Sequence, residues 1–309
     1  MGELAQIAAN MNVLAGFLGV RDLKTLTRDT VVARYGYDQA DVMALFGGSI
    51  LAGGDVLADA IRAGVARTYV IVGGAGHTTE TFRARVRGLC PDLAFPDDAP
   101  EADVFEKYLE KYHGLRADLL ETRSTNCGNN VTYLRDFLAA EGVACQSLII
   151  AQDATMQRRM QAEVEKEMPG VTPINYATYR VRVVERGGGL AYEETPLGMW
   201  KPERYLTLLM GEIPRLTDDE HGYGPRGAGY LAHMDIPDEV TAAWECLRAR
   251  GQSCVRLIGP LANAGGRSIV HAIRVLPCPF ERRQSSLPQR VEVCKRFFAT
   301  AEAVKARIP

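Results

Sequence analysis

The chain has 309 residues, 47% hydrophobic and 24% charged, an ordinary globular composition with room for one large domain or two smaller ones. Its 36 Lys and Arg balance 38 Asp and Glu to a formal charge of −2, so no global field favours nucleic acid or an anionic membrane, and a small or nearly neutral partner is expected. Seven cysteines without a CxxC pair favour a reducing, cytoplasmic setting, and no uninterrupted run of about 18 apolar residues marks a transmembrane helix.

Residues 1–40 read as an N-terminal helical segment, because Leu4, Ile7, Met11, Leu14 and Leu18 recur at helical spacing, while Glu3 and the lack of a basic start argue against a signal peptide. From Asp41 short apolar runs alternate with helical patterns, which predicts a parallel sheet flanked by helices. The first run, Asp41 to Phe46, ends in Gly47-Gly48-Ser49, and Asp55 then caps a helix. The second, Thr68 to Val72, ends in Gly73-Gly74-Ala75-Gly76-His77. A loop follows over 89–100 and a helix over 101–112.

A brief third strand, Ala117 to Glu121, leads into a polar turn ending at Asn130, after which Val131, Leu134 and Leu138 mark a helix. The fourth strand, Gln146 to Ala151, ends in Gln152-Asp153 and is followed by a helix to about Glu167. Residues 171–250 are less regular, with helices expected from Trp200, where Pro202 suits a first turn, and from Asp238 to Arg250. The expected organisation is a Rossmann-like ligand-binding domain over 41–190, a smaller helical C-terminal part over 191–250, and an appendage over 251–309 with prolines and a basic stretch.

In an open parallel sheet, ligands bind outside the carboxyl ends of the strands, where loops converge and helix N-termini present free N–H groups. Every polar cluster above falls at such an end. Gly73 to Thr79 is not a dinucleotide fingerprint, since Thr79 stands where GxGxxG starting at Gly74 needs its last glycine, but the glycines permit close backbone approach. A plain strand-to-helix turn explains the same residues. His77 is a candidate base or ligand contact, or a loop-bonding histidine.

Glu121 and the stretch Ser124-Thr125-Asn126, with Asn129 and Asn130, combine a carboxylate, hydroxyls and amides that suit an adenine or ribose edge; helix capping accounts for one or two of them. Arg158 and Arg159 oppose the dipole at a helix start, so they are expected to hold an anionic ligand group or a partner carboxylate. Cys127 reads as a small packing residue. No HExxH, Walker or GxSxG motif and no zinc spacing occurs.

Ser124-Thr-Asn-Cys-Gly128, Gln152-Asp-Ala-Thr-Met-Gln-Arg-Arg159, Trp200-Lys-Pro-Glu-Arg-Tyr-Leu206, Gly211-Glu-Ile-Pro-Arg-Leu216 and Gly222-Tyr-Gly-Pro-Arg-Gly227 resemble the YdcF-type branch of the SanA/ElyC/YdcF family over residues 1–250. The resemblance implies a Rossmann-like domain that binds S-adenosylmethionine, without a settled reaction. Where the family commonly reads Gly-Glu-Asn this chain has Gly128-Asn129-Asn130, one carboxylate fewer. The expected ligand-contacting residues are Gly47, Gly48, Ser49, Gly73, Gly74, Gly76, His77, Ser124, Thr125, Asn126, Asn129, Asn130, Gln152, Asp153, Met156, Arg158 and Arg159. Glu121, Asp153 and His77 are the candidate catalytic groups, and no metal is expected. The leading expectation is an adenosyl-binding protein suited to group transfer. A nucleotide or phosphoester hydrolase and a non-catalytic ligand sensor are the alternatives.

Overall fold

The computed structural model describes residues 2–258. Two helices precede the sheet: α1 (Glu3–Leu18) and α2 (Arg28–Tyr35), the second opened by a capping box between Thr27 and Thr30. The central sheet is fully parallel, built from β1 (Ala40–Phe46), β2 (Ala66–Val72), β3 (Leu119–Glu121), β4 (Ser147–Ala151) and β5 (Thr172–Asn175) in the order β3-β2-β1-β4-β5. The chain is thus a Rossmann-like α/β protein, with one strand, β5, beyond the four that the apolar runs predict.

The pleat of β1 divides its side chains between two cores, since neighbouring residues point to opposite faces. Met43 and Leu45 pack on one side with α3 (Ala52–Ala63), α4 (Thr79–Leu89) and α5 (Glu101–Tyr108), through Leu57, Val86 and Phe105. Val42, Ala44 and Phe46 pack on the other with α6 (Cys127–Ala140) and α7 (Gln157–Glu167), through Val131, Leu134, Met160 and Val164. Covering both faces explains why these strands read as continuous apolar runs. Each buried side chain of this size contributes about 1.5–3 kcal/mol.

A third core lies beside the sheet. The hairpin β6 (Val183–Arg186) and β7 (Gly189–Tyr192) joins α8 (Pro202–Leu216), α9 (Asp238–Ile258) and α1. Ile7, Met11, Leu14 and Leu18 of α1 are buried there with Tyr205, Leu209, Ile213, Val240 and Leu247. The helix expected from Asp238 to Arg250 does end there, at the non-helical Gly251 (φ +45°), and a second helical stretch follows to Ile258. Of the expected appendage, residues 259–309 lie outside the described residues. No helix among the described residues is long and apolar enough to cross a membrane.

Candidate functional site

Strand order reverses between β1 and β4, because the chain leaves β1 towards β2 on one side and β4 towards β5 on the other. The loops after these two strands therefore diverge and leave a crevice at their carboxyl ends. Gln152 bridges it: its Nε2 donates to the Gly47 carbonyl at 3.0 Å, and its Oε1 accepts from the Asp153 amide at 2.6 Å. Ser49 and Thr178 share a hydrogen bond of 2.8 Å between their hydroxyls.

Glu101, in the first turn of α5, supports the loops after β1 and β2. Its Oε2 accepts from the Gly48 amide at 2.6 Å and its Oε1 from the Thr79 hydroxyl at 2.7 Å, and burial pushes its carboxyl above the ordinary range. A Cβ on Gly47 would sit 2.6 Å from that carboxylate. On Gly73 it would meet the Gly47 Cα at 3.2 Å, and on Gly74 the Ser124 carbonyl at 2.0 Å. On Gly76 it would lie 2.6 Å from the Thr125 carbonyl. These glycines let strand-end loops of the same chain press together, while Gly48, at φ +80°, needs its left-handed backbone and lies against Met156.

Glu121 is buried at the end of β3, and its Oε1 accepts from the amides of Arg123 at 2.7 Å and Ser124 at 3.1 Å. The Ser124 hydroxyl accepts in turn from the Gly74 amide at 3.0 Å. Asn126 and Asn129 form a reciprocal capping box at the start of α6, with Thr125 accepting from Asn129 Nδ2 at 3.1 Å. Asn130 is buried, and its amide makes no hydrogen bond among the described residues. The side chain of Cys127 lies outside the described residues. His77 is exposed and makes no side-chain hydrogen bond or ion pair among the described residues.

Asp153 organises the far side. It is 1% exposed, and its carboxylate accepts from the Thr155 amide (2.9 Å) and hydroxyl (2.7 Å), the Tyr179 hydroxyl (2.7 Å) and the Trp200 indole (3.0 Å). Burial raises its pKa against the pull of these donors. Arg85 stacks on Trp200, 4.1 Å from the ring centroid, and donates to the carbonyls of Gly198 and Met199. A cavity of about 250 Å3 adjoins this cluster between Gly16 of α1, Gly19 just past its end, and Ala154, Tyr179 and Tyr205.

The two arginines of α7 have protein partners. Arg158 donates to the Phe17 carbonyl at 3.1 Å and to Gln161, while Arg159 forks onto Glu212 of α8 through contacts of 2.6 and 3.2 Å. The structure thus draws Gly47, Ser49, Gln152 and Met156 to one crevice, and Glu121, Ser124, Gly73 and Gly74 to its neighbour. It directs Arg158 and Arg159 away to α1 and α8. The sequence does not single out Glu101, Trp200 and Tyr179; Pro100 before Glu101 and Pro202 after Trp200 mark helix starts, the local signal that two of them carry. Among the described residues no group of His, Cys, Asp and Glu could hold a metal ion.

Fold and site together define a doubly wound α/β protein with a polar crevice at its strand ends. No family model matches the chain.

Proposed function

We propose that the chain binds S-adenosylmethionine or a related adenosyl compound at the strand ends, with group transfer as the chemistry such a ligand serves. One observation carries the reading: the reversal of strand order between β1 and β4, with polar loops on both sides. The choice of ligand rests on the resemblance of the Ser124, Gln152 and Trp200 stretches to the YdcF-type branch of the SanA/ElyC/YdcF family, and a cytoplasmic setting goes with it. Asn130 supports it, because an amide without a partner among the described residues offers both a donor and an acceptor to an adenine or ribose edge.

A non-catalytic ligand sensor is the second reading. It is favoured by the occupation of Glu121 and Asp153, whose carboxylates are already held by internal donors. Titration calorimetry with S-adenosylmethionine, S-adenosylhomocysteine, ATP and NAD, followed by a product assay on each binder, separates the two. An adenosyl compound should bind; no heat from either at millimolar concentration would remove the proposal.

A further inference from the structure

Glu163, on α7, is 3% exposed, its Oε2 has no partner, and neither carboxyl oxygen makes a hydrogen bond or ion pair among the described residues. Other buried acids are held. Glu101 takes Gly48 and Thr79, Glu121 takes two loop amides, Asp153 takes Thr155, Tyr179 and Trp200, and Glu212 takes Arg159. A buried polar group without a partner is rare in a native protein and calls for a reason.

The surroundings supply one. Glu163 Oε1 lies 3.9 Å from where a Cβ on Gly128 would be, so the bare glycine leaves the carboxyl facing the first turn of α6. That turn follows the polar loop after β3. The charged groups nearby are Arg159, which is forked to Glu212 of α8, and Lys166 and Glu167, the latter bonded to Arg135 of α6. Burial outweighs the pull of Arg159, and the Glu163 pKa is pushed up to about 8.

We infer that Glu163 is a ligand-contacting carboxyl of the strand-end site, open to a hydrogen-bond donor, a hydroxyl or an ammonium, that enters between it and the first turn of α6. This rests on the adenosyl reading, since the ribose hydroxyls and the amino-acid ammonium of S-adenosylmethionine are donors of this kind. Such a donor gives the carboxyl the partner that the described residues do not supply.

The test is Glu163→Gln in the full chain, read by S-adenosylmethionine affinity and by melting temperature at pH 5 and pH 8.5. Adenosine and methionine serve as separate hydroxyl and ammonium probes. Affinity should fall at least tenfold, yet the variant should melt higher than the parent at pH 8.5. With the Glu163 pKa raised from 4.5 to about 8, the native parent holds a proton that the unfolded chain releases. Parental stability therefore declines as pH rises through that window, and the advantage of the variant should shrink towards pH 5. A purely structural carboxyl would show the opposite, a lower melting temperature.

Gly128→Ala, which narrows the gap without touching the carboxyl, should weaken S-adenosylmethionine binding. Adenosine losing affinity for Glu163→Gln assigns the hydroxyl, and methionine the ammonium. If the parent binds S-adenosylmethionine and Glu163→Gln binds it equally, or melts lower at pH 8.5, the assignment of Glu163 is overturned while the adenosyl reading stands. If the parent binds none of the probes, the adenosyl reading falls and takes this assignment with it.

Discussion

The indole N–H of Trp200 donates to Asp153 Oδ2 across 3.0 Å, tying the residue in front of α8 to the end of β4. Because every group around Asp153 is a donor, Asp153→Asn turns an amide N–H2 against at least one of them. A loss of about 2–3 kcal/mol is expected, from hydrogen bonds to a charged group. The urea midpoint should fall, and the emission of Trp200, one of two tryptophans, should change with it. An unchanged midpoint would remove Asp153 as the hub of this region.

Gly74 and Gly88 make a matched pair. A Cβ on Gly74 would meet the Ser124 carbonyl at 2.0 Å, whereas one on Gly88, inside α4, meets nothing within 4 Å. Gly74→Ala should therefore abolish soluble protein or lower its melting point steeply. Gly88→Ala should stabilise by up to about 1 kcal/mol, the helix-propensity difference. Equal melting points for the two variants would contradict the packing described.

The Arg159–Glu212 pair is nearly enclosed, at 11% and 6% side-chain exposure. Arg159→Met alone leaves the buried Glu212 carboxylate with its remaining contact to Arg215 at 3.3 Å, an expected cost of about 3 kcal/mol, while the double change to Met at both positions should recover most of it. Denaturation of the two singles and the double gives the coupling energy. Additive losses would show that the two side chains act independently.

His233 is held at both ring nitrogens, by Asp218 at 2.7 Å and Asp235 at 3.0 Å, and these carboxylates raise its pKa above the ordinary 6.5. The stabilisation is present in full below 6.5 and fades as pH rises through the higher folded value. A ring-proton NMR titration should place the His233 midpoint above 6.5 in the parent and lower in Asp218→Asn. A midpoint at or below 6.5 in the parent would refute the double pairing.

Strands β1, β2 and β4 are legible in the sequence because burial on both faces makes each an apolar run closed by polar residues. Strand β5 is not. It has four residues, one of them Pro173, a residue tolerated on an edge strand where its missing N–H is not needed. The hairpin signal at Gly187-Gly188, both at positive φ, is local and readable, but the flanking strands have only four residues each.

For the site, the strand-end loops are visible in the sequence and their partners are not. Glu101 reaches Gly48 across 53 positions, and Arg159 reaches Glu212 across 53. The charges at the start of α7 leave a ligand anion and a protein carboxylate equally open, and tertiary folding supplies the carboxylate to Arg159 from α8. Nor does any local pattern tell that Glu163, in a charge-rich helix, would be buried without a partner among the described residues.

The pairing of α1 with α9 sets a timetable for synthesis. The apolar stripe of α1 is buried largely by elements that the ribosome has yet to make, and α9 begins 220 residues after α1 ends, at Asp238 against Leu18. At about 5–20 residues per second, that interval lasts on the order of 10–45 seconds. During it the nascent chain carries Ile7, Met11, Leu14 and Leu18 without their final cover, a natural target for chaperones that bind exposed apolar segments.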